Sequence, residues 1–199
     1  MLAKIREIIY KNNDVKTLIE KIEPGTLGSS YIKSYESIID FFNDIQLNEK
    51  LNENSLIQGA HMLYGWMPTI LNITKHDLDT QNVLLSLEKI KKEIDKADLN
   101  VIKKFMNNSN VGASKLLHFM YPEKYPIWDS KICEIITGKS YHQKVQNTLN
   151  YINYCKAIQN LIIELPENLK NFKKEFEEKF KYKISNVRAA ELMLFLTAE

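Results

Sequence analysis

Apolar residues return every three to four positions along this chain, and nowhere do they alternate. Leu2, Ile5, Ile8, Ile9, Val15, Leu18, Ile19 and Ile22 repeat with helical spacing, as do Tyr31, Tyr35, Ile38, Ile39, Phe42 and Ile45. Val83, Leu84, Leu87, Ile90 and Ile94 follow the same rule. Such spacing puts each set on one face of a helix. There is no alternating Val, Ile or Thr run bounded by hairpin turns, so a sheet has no material. The spacing predicts an all-α fold, a compact bundle of about nine or ten helices.

Punctuation residues divide the helices. The first spans 2–22, with a weak break at Asn12-Asn13-Asp14, and ends at Glu23-Pro24-Gly25. The second covers 31–46, and a third runs from a cap at Asn54 or Ser55 through Tyr64. Gly65 closes that helix, Pro68 can start another, and Tyr64, Trp66 and Met67 crowd an aromatic corner. A helix over 82–95 precedes one over 99–107 capped by Asp98. After a turn at Asn107–Asn110, a helix carries Leu116, Leu117, Phe119 and Met120 until Pro122 breaks it. The next begins near Asp129 or Ser130 and stops at Gly138. A long helix over 141–164 turns Val145, Leu149, Ile152, Cys155, Ile158 and Ile162 to one side. Pro166 restarts the chain into a charged outer helix over 167–181, and Ser185 or Asn186 caps the last, 187–197. The whole, 1–199, is expected to be one helical domain. A division into two lobes stays open: about 1–80 with the C-terminal helices, and about 81–165 with the turn at 107–110.

Composition excludes more than it selects. With 44% hydrophobic and 26% charged residues the chain can build an ordinary core. No run approaches the roughly 18 apolar residues of a membrane span, so no membrane partner is expected. The first residues, MLAKIREIIYKNND, lack the apolar block of a signal peptide, which predicts a cytoplasmic protein. A net charge of +2 gives no global nucleic-acid signature, so any such binding must be local. Cys133 and Cys155 read as reduced, buried thiols. His61, His76, His118 and His142 are scattered without ligand spacing; no metal site and no cofactor are expected. Gly25 and Gly28 lack the strand and the Lys-Ser/Thr of a phosphate loop.

One stretch departs from plain amphipathic helix. From Asn110 to Ile136 the chain reads NVGASKLLHFMYPEKYPIWDSKICEII. A tight turn opening a helix exposes backbone N–H groups that suit a phosphate. Asn108, Ser109, Asn110 and Ser114 can add donors, and Lys103, Lys104, Lys115 and Lys131 supply local positive charge. Asp129 follows the apolar Pro126-Ile127-Trp128, where a carboxylate needs a partner or a task. Capping the helix that starts at Ser130 is one such task.

Here the chain resembles the helix-hairpin-helix DNA glycosylase superfamily, the endonuclease III and 8-oxoguanine glycosylase group. The resemblance rests on Val111-Gly112-Ala113-Ser114-Lys115 and, further on, Pro126-Ile127-Trp128-Asp129-Ser130-Lys131-Ile132, about 27 residues in all. The pattern departs at Asn110, which stands at the first hairpin glycine. It also departs at Ser114, which holds the family's usual lysine position, with Lys115 one residue later. The iron–sulfur cluster of many members is absent with two cysteines. The resemblance implies DNA as partner and base excision, with or without strand nicking, on damaged or modified bases. It assigns Asp129 and Lys115 as catalytic residues, and Asn110, Val111, Gly112, Ser114 and Lys131 as DNA-binding residues. Trp66, Tyr125 and Trp128, with Tyr121 beside them, are the rings expected to stack on a flipped base.

Two other readings stand beside this one. The hairpin could serve a non-catalytic DNA-binding module. The chain could instead be a helical protein-interaction protein of a bacterial stress or phage-response system.

Overall fold

The computed structural model describes the chain except residues 13, 23–28, 49–50, 67–69, 73–78 and 198–199, and the side chains of 29 and 30. Twelve helices and no strand make up the described residues. In order they are α1 (Leu2–Lys11), α2 (Val15–Glu20), α3 (Ser29–Leu47), α4 (Glu53–Trp66), α5 (Thr80–Lys92) and α6 (Lys96–Phe105). Then come α7 (Asn110–Met120), α8 (Ser130–Thr137), α9 (His142–Val145), α10 (Thr148–Glu164), α11 (Glu167–Phe180) and α12 (Asn186–Thr197). The fold class is as the spacing predicts, and the count is higher for two reasons.

The weak break near residue 12 is a full one. Asp14 caps α2 by accepting from the Thr17 N–H, and Asn12 leaves α1 to donate to Thr197 on α12. The long helix over 141–164 is also interrupted. Val145 O accepts from Trp128 Nε1 and Asn110 Nδ2, and Gln146 O accepts from Lys103 Nζ. Donors from residues 103, 110 and 128 thus hold the chain at the interruption. Asn147 then caps α10 through the N–H groups of Leu149 and Asn150.

Three local expectations change. Asp95 caps α6, while Asp98 lies buried in its first turn, accepting from Ser86 Oγ at 2.9 Å with Lys89 nearby. Asn52, one turn before the expected cap, opens α4: its Oδ1 accepts from Ser55 N–H, and Ser55 Oγ accepts from Asn52 N–H. Leu149 faces solvent, and Tyr151 and Tyr154 are the buried aromatics of α10. Charged α11 buries one face, Leu169, Phe172 and Phe176. Gly138 stops α8 at φ 75° as the sequence predicts, and of the two caps expected for α12 Ser185 is the one that accepts from the helix. The expectations on Glu23, Pro24, Gly25, Gly28, Met67, Pro68 and His76 fall outside the described residues.

One buried cluster runs from Ile5 on α1 through Leu117 on α7 to Leu196 on α12. α1 packs on α10 and α12, α2 on α11, and α7 on α3, α4, α6 and α10. α7 is thus central, with α6 joined to it by the turn Met106–Ser109. Asn107 and Asn108 take φ 56° and 53° in that turn, a conformation asparagine tolerates better than most residues. Asn107 also fastens the preceding segment, accepting from Asn72 N–H and donating to Ile70 O.

Candidate functional site

A single hydroxyl sets the geometry. Ser114 Oγ, inside α7, accepts from the Trp128 N–H at 2.9 Å and can donate to Val111 O or Trp128 O. The connector after Pro122 is therefore stitched to α7 at residue 114. The residues next to the stitch, Lys115 and Asp129, come to line one cleft. Other side chains hold the connector in place. Tyr121 and Tyr125 hydroxyls donate to Leu87 O and Ile90 O, Tyr151 to Pro126 O, and Gln159 Nε2 to Lys124 O.

α12 forms the opposite wall. Ser185 Oγ donates to Pro122 O at 2.7 Å and accepts from Arg188 N–H, which ties the start of α12 to the connector. One turn apart on the cleft side, Arg188 donates from Nη1 to the Glu191 carboxylate. The guanidinium lies 4.8 Å from the centre of the Tyr35 ring. Leu192 and Phe195 continue this wall, with Ile127 at the connector. Tyr31 of α3 and Trp66 of α4 pack edge to face at 5.2 Å and close the cleft, whose volume is about 240 Å³.

The cleft holds four charged groups largely removed from water. Burial lowers the Lys115 ammonium from 10.5 to about 8, with Asp129 opposing the shift. Lys115 Nζ rests 5.0 Å from the Trp66 ring centre and makes no hydrogen bond or ion pair with a described residue. Burial raises the Asp129 carboxyl, and the Ile132 N–H and Lys115 hold it back. The Ile132 bond is a helix cap at 2.8 Å, so Asp129 caps α8 and faces the cleft together. Glu191 is raised by burial to about 7 against the pull of Arg188.

Behind Arg188, Tyr35 leads to a fully buried histidine. His118 Nδ1 lies 2.7 Å from Tyr125 O, which can only accept, so this nitrogen carries the proton. Nε2 then accepts from the Tyr35 hydroxyl at 2.7 Å. Burial, aided by Arg188, lowers His118 to about 3 and keeps it neutral. It does not line the cleft.

The structure gathers some of the expected residues and separates others. Lys115, Asp129 and Trp66 share the cleft. Lys131 sits beside its rim, Nζ 4.7 Å from the Phe195 ring centre. Tyr125 and Trp128 lie in the core, and Trp128 Nε1 is spent on Val145 O, so neither ring as folded is available to a base. Tyr121 is half-buried with its hydroxyl engaged. Asn110, Gly112 and Ser114 are buried, and Val111 is half-buried. Four amides of the turn and the start of α7 are engaged: Ser109 N–H donates to Met106 O, Asn110 to Gln146 Oε1, Gly112 to Ser109 Oγ and Ala113 to Ser109 O. These four N–H groups are not free for a phosphate.

The sequence reading gave no site role to Tyr31, Arg188, Glu191 or Phe195, which the cleft brings together. A signal was present. In NVRAAELMLFL, an Arg and a Glu three apart interrupt an apolar helix, and buried charges require partners or a task. No family model matches this chain, and no curated protein and no solved structure matches it either.

Proposed function

We propose that this chain is a DNA base-excision enzyme of the glycosylase/lyase type, acting at the cleft of Lys115 and Asp129. The supporting observation is a lysine amine lowered to about 8, without a hydrogen bond to a described residue, sharing an aromatic-walled cleft with a carboxylate. Near neutral pH a useful fraction of that amine is unprotonated, as a nucleophile requires. In the proposed reaction, Lys115 Nζ forms a bond to the sugar C1′ as the C1′–N bond to the base breaks. The base leaves with the bonding pair, and the proton lost by the amine matches the one the base gains. Opening of the sugar ring then gives an imine. Asp129 stabilises the positive charge that develops at C1′. Trp66 and Tyr31 offer ring faces or edges to an extruded base. With the Ser109, Asn110, Gly112 and Ala113 amides engaged, DNA phosphates would be met by lysine side chains such as exposed Lys104 and rim Lys131.

Borohydride trapping on a duplex carrying an abasic site, with a panel of oxidised, alkylated and deaminated bases, tests this. The expected result is a covalent protein–DNA adduct lost in Lys115→Met, and base release lost in Asp129→Asn. No adduct and no release across the panel would overturn it. The engaged turn amides and the +2 net charge favour a second reading, a non-catalytic helical binding protein. Salt-sensitive DNA binding without chemistry would mark a DNA-binding module, and absent DNA binding a protein-interaction role.

A further inference from the structure

The reading above leaves Arg188 and Glu191 without a task, although each is a charge brought inside the protein. They are 5% and 2% exposed, yet both line the cleft. Their mutual bond uses Nη1 and one carboxylate oxygen, and Ser185 takes the Arg188 backbone N–H. The remaining guanidinium nitrogens and the other Glu191 oxygen bond to no described residue. Among the described residues, the sealed polar side-chain atoms without a partner are Asn110 Oδ1 and Tyr154 Oη, and none belongs to Arg188 or Glu191. The unengaged edge of the pair therefore opens on the cleft. It offers a donor and an acceptor side by side, one helical turn apart on a rigid element, with the guanidinium seated on the Tyr35 ring.

Two further features limit what could meet this edge. Lys115 and Arg188 balance Asp129 and Glu191 in formal charge, so an uncharged ligand leaves the cleft neutral. The volume of about 240 Å³ lies below the roughly 300–1,000 Å³ of drug-sized sites and suits one small ring system against Trp66 and Tyr31.

We propose that Arg188 and Glu191 are the specificity edge of the cleft, selecting one uncharged planar heterocycle that carries a hydrogen-bond acceptor beside an N–H donor. Arg188 donates to the ligand's acceptor and Glu191 accepts from its N–H. The ligand class rests on the base-excision reading, but the edge can be tested without catalysis. A ligand lacking the donor leaves a buried carboxylate oxygen unpaired, which costs roughly tenfold to 100-fold in affinity.

Trp66 and Trp128 are the chain's two tryptophans, and only Trp66 lines the cleft, so intrinsic fluorescence reports occupancy. The probes are 1-methyluracil against 1,3-dimethyluracil, and 9-methyladenine against its N6,N6-dimethyl form, titrated into the full chain. Expected is saturable quenching, absent in Trp66→Phe, by one parent compound at least. Blocking its donor should weaken binding tenfold or more, and Glu191→Gln should erase most of that difference. Arg188→Lys, which keeps the charge and loses the fork, should weaken the parent compound and leave far-UV circular dichroism unchanged. Equal binding of parent and blocked forms, or no saturable quenching by either parent, overturns the proposal. Trapping at an abasic site needs no base, so its loss would count against the lyase reading alone. Base binding without trapping would leave the specificity edge standing.

Discussion

His118 should contribute an acid-sensitive slope to the stability of this protein that one substitution removes. The histidine is held neutral, its folded value near 3 against 6.5 for the free side chain. Between those values the unfolded chain binds one proton more than the folded chain, so stability falls as pH falls. The loss from this residue is about 1 kcal/mol at pH 6 and about 2 kcal/mol at pH 5, relative to neutral pH. Glu191 works in the opposite direction. Its folded value of about 7 stands above 4.5, so the folded chain takes up its proton first and gains stability on acidification across much of that interval. The wild-type profile therefore contains two nearly cancelling slopes, and a difference measurement is needed. Urea unfolding of wild type and His118→Gln, followed by circular dichroism at pH 5, 6, 7 and 8, supplies it. The advantage of wild type over the variant should shrink by about 2 kcal/mol between pH 8 and pH 5. Parallel stability curves for the two proteins would refute the argument, because the histidine would then titrate alike in both states.

Three other outcomes can be measured directly. The rate of imine trapping at Lys115 should rise with pH through a midpoint near 8, where an ordinary lysine would still be climbing toward 10.5. Asp129→Asn should keep the cap of α8 and change stability by under about 0.5 kcal/mol, while Asp129→Ala should cost about 1 kcal/mol; base release should be lost in both. Gly112→Ala should destabilise by about 1–3 kcal/mol in thermal or urea unfolding, since a Cβ there would meet Tyr64 Oη at 2.8 Å and Met106 Cβ at 3.1 Å. The Tyr64 hydroxyl already donates to Met106 O, so it cannot move aside without losing that bond.

Several helix ends were legible from a short-range signal. Asp129, Ser185 and Gly138 act within three residues of their own positions, and the structure finds each where the spacing puts it. Other ends failed for reasons several helices away. At the break at Gln146–Asn147, Trp128 and Asn110 bond Val145 O and Lys103 bonds Gln146 O, and none of these donors is near in sequence. Asp98 looked like a cap because it precedes an apolar run. Asp95 reaches the Ala97 and Asp98 N–H groups, and Asp98 is left to bond Ser86 on the neighbouring helix.

The same division applies to the cleft. The sequence by itself determined an all-helical chain, a turn at 107–110, and an aspartate at the mouth of α8, because local periodicity and capping decide such features. It also set Lys115 one residue away from the position its resemblance would favour. Tertiary structure decided which residues face one another. The Ser114–Trp128 stitch brings Lys115 beside Asp129, and the Ser185–Pro122 bond swings Arg188 and Glu191 against them from α12. It also engaged the Asn110 and Gly112 amides and buried Trp128, two properties that composition made look available. Burial depends on what packs from elsewhere in the chain. The same lysine that would titrate near 10.5 on a helix surface therefore titrates near 8 only when α4 and α12 close over it.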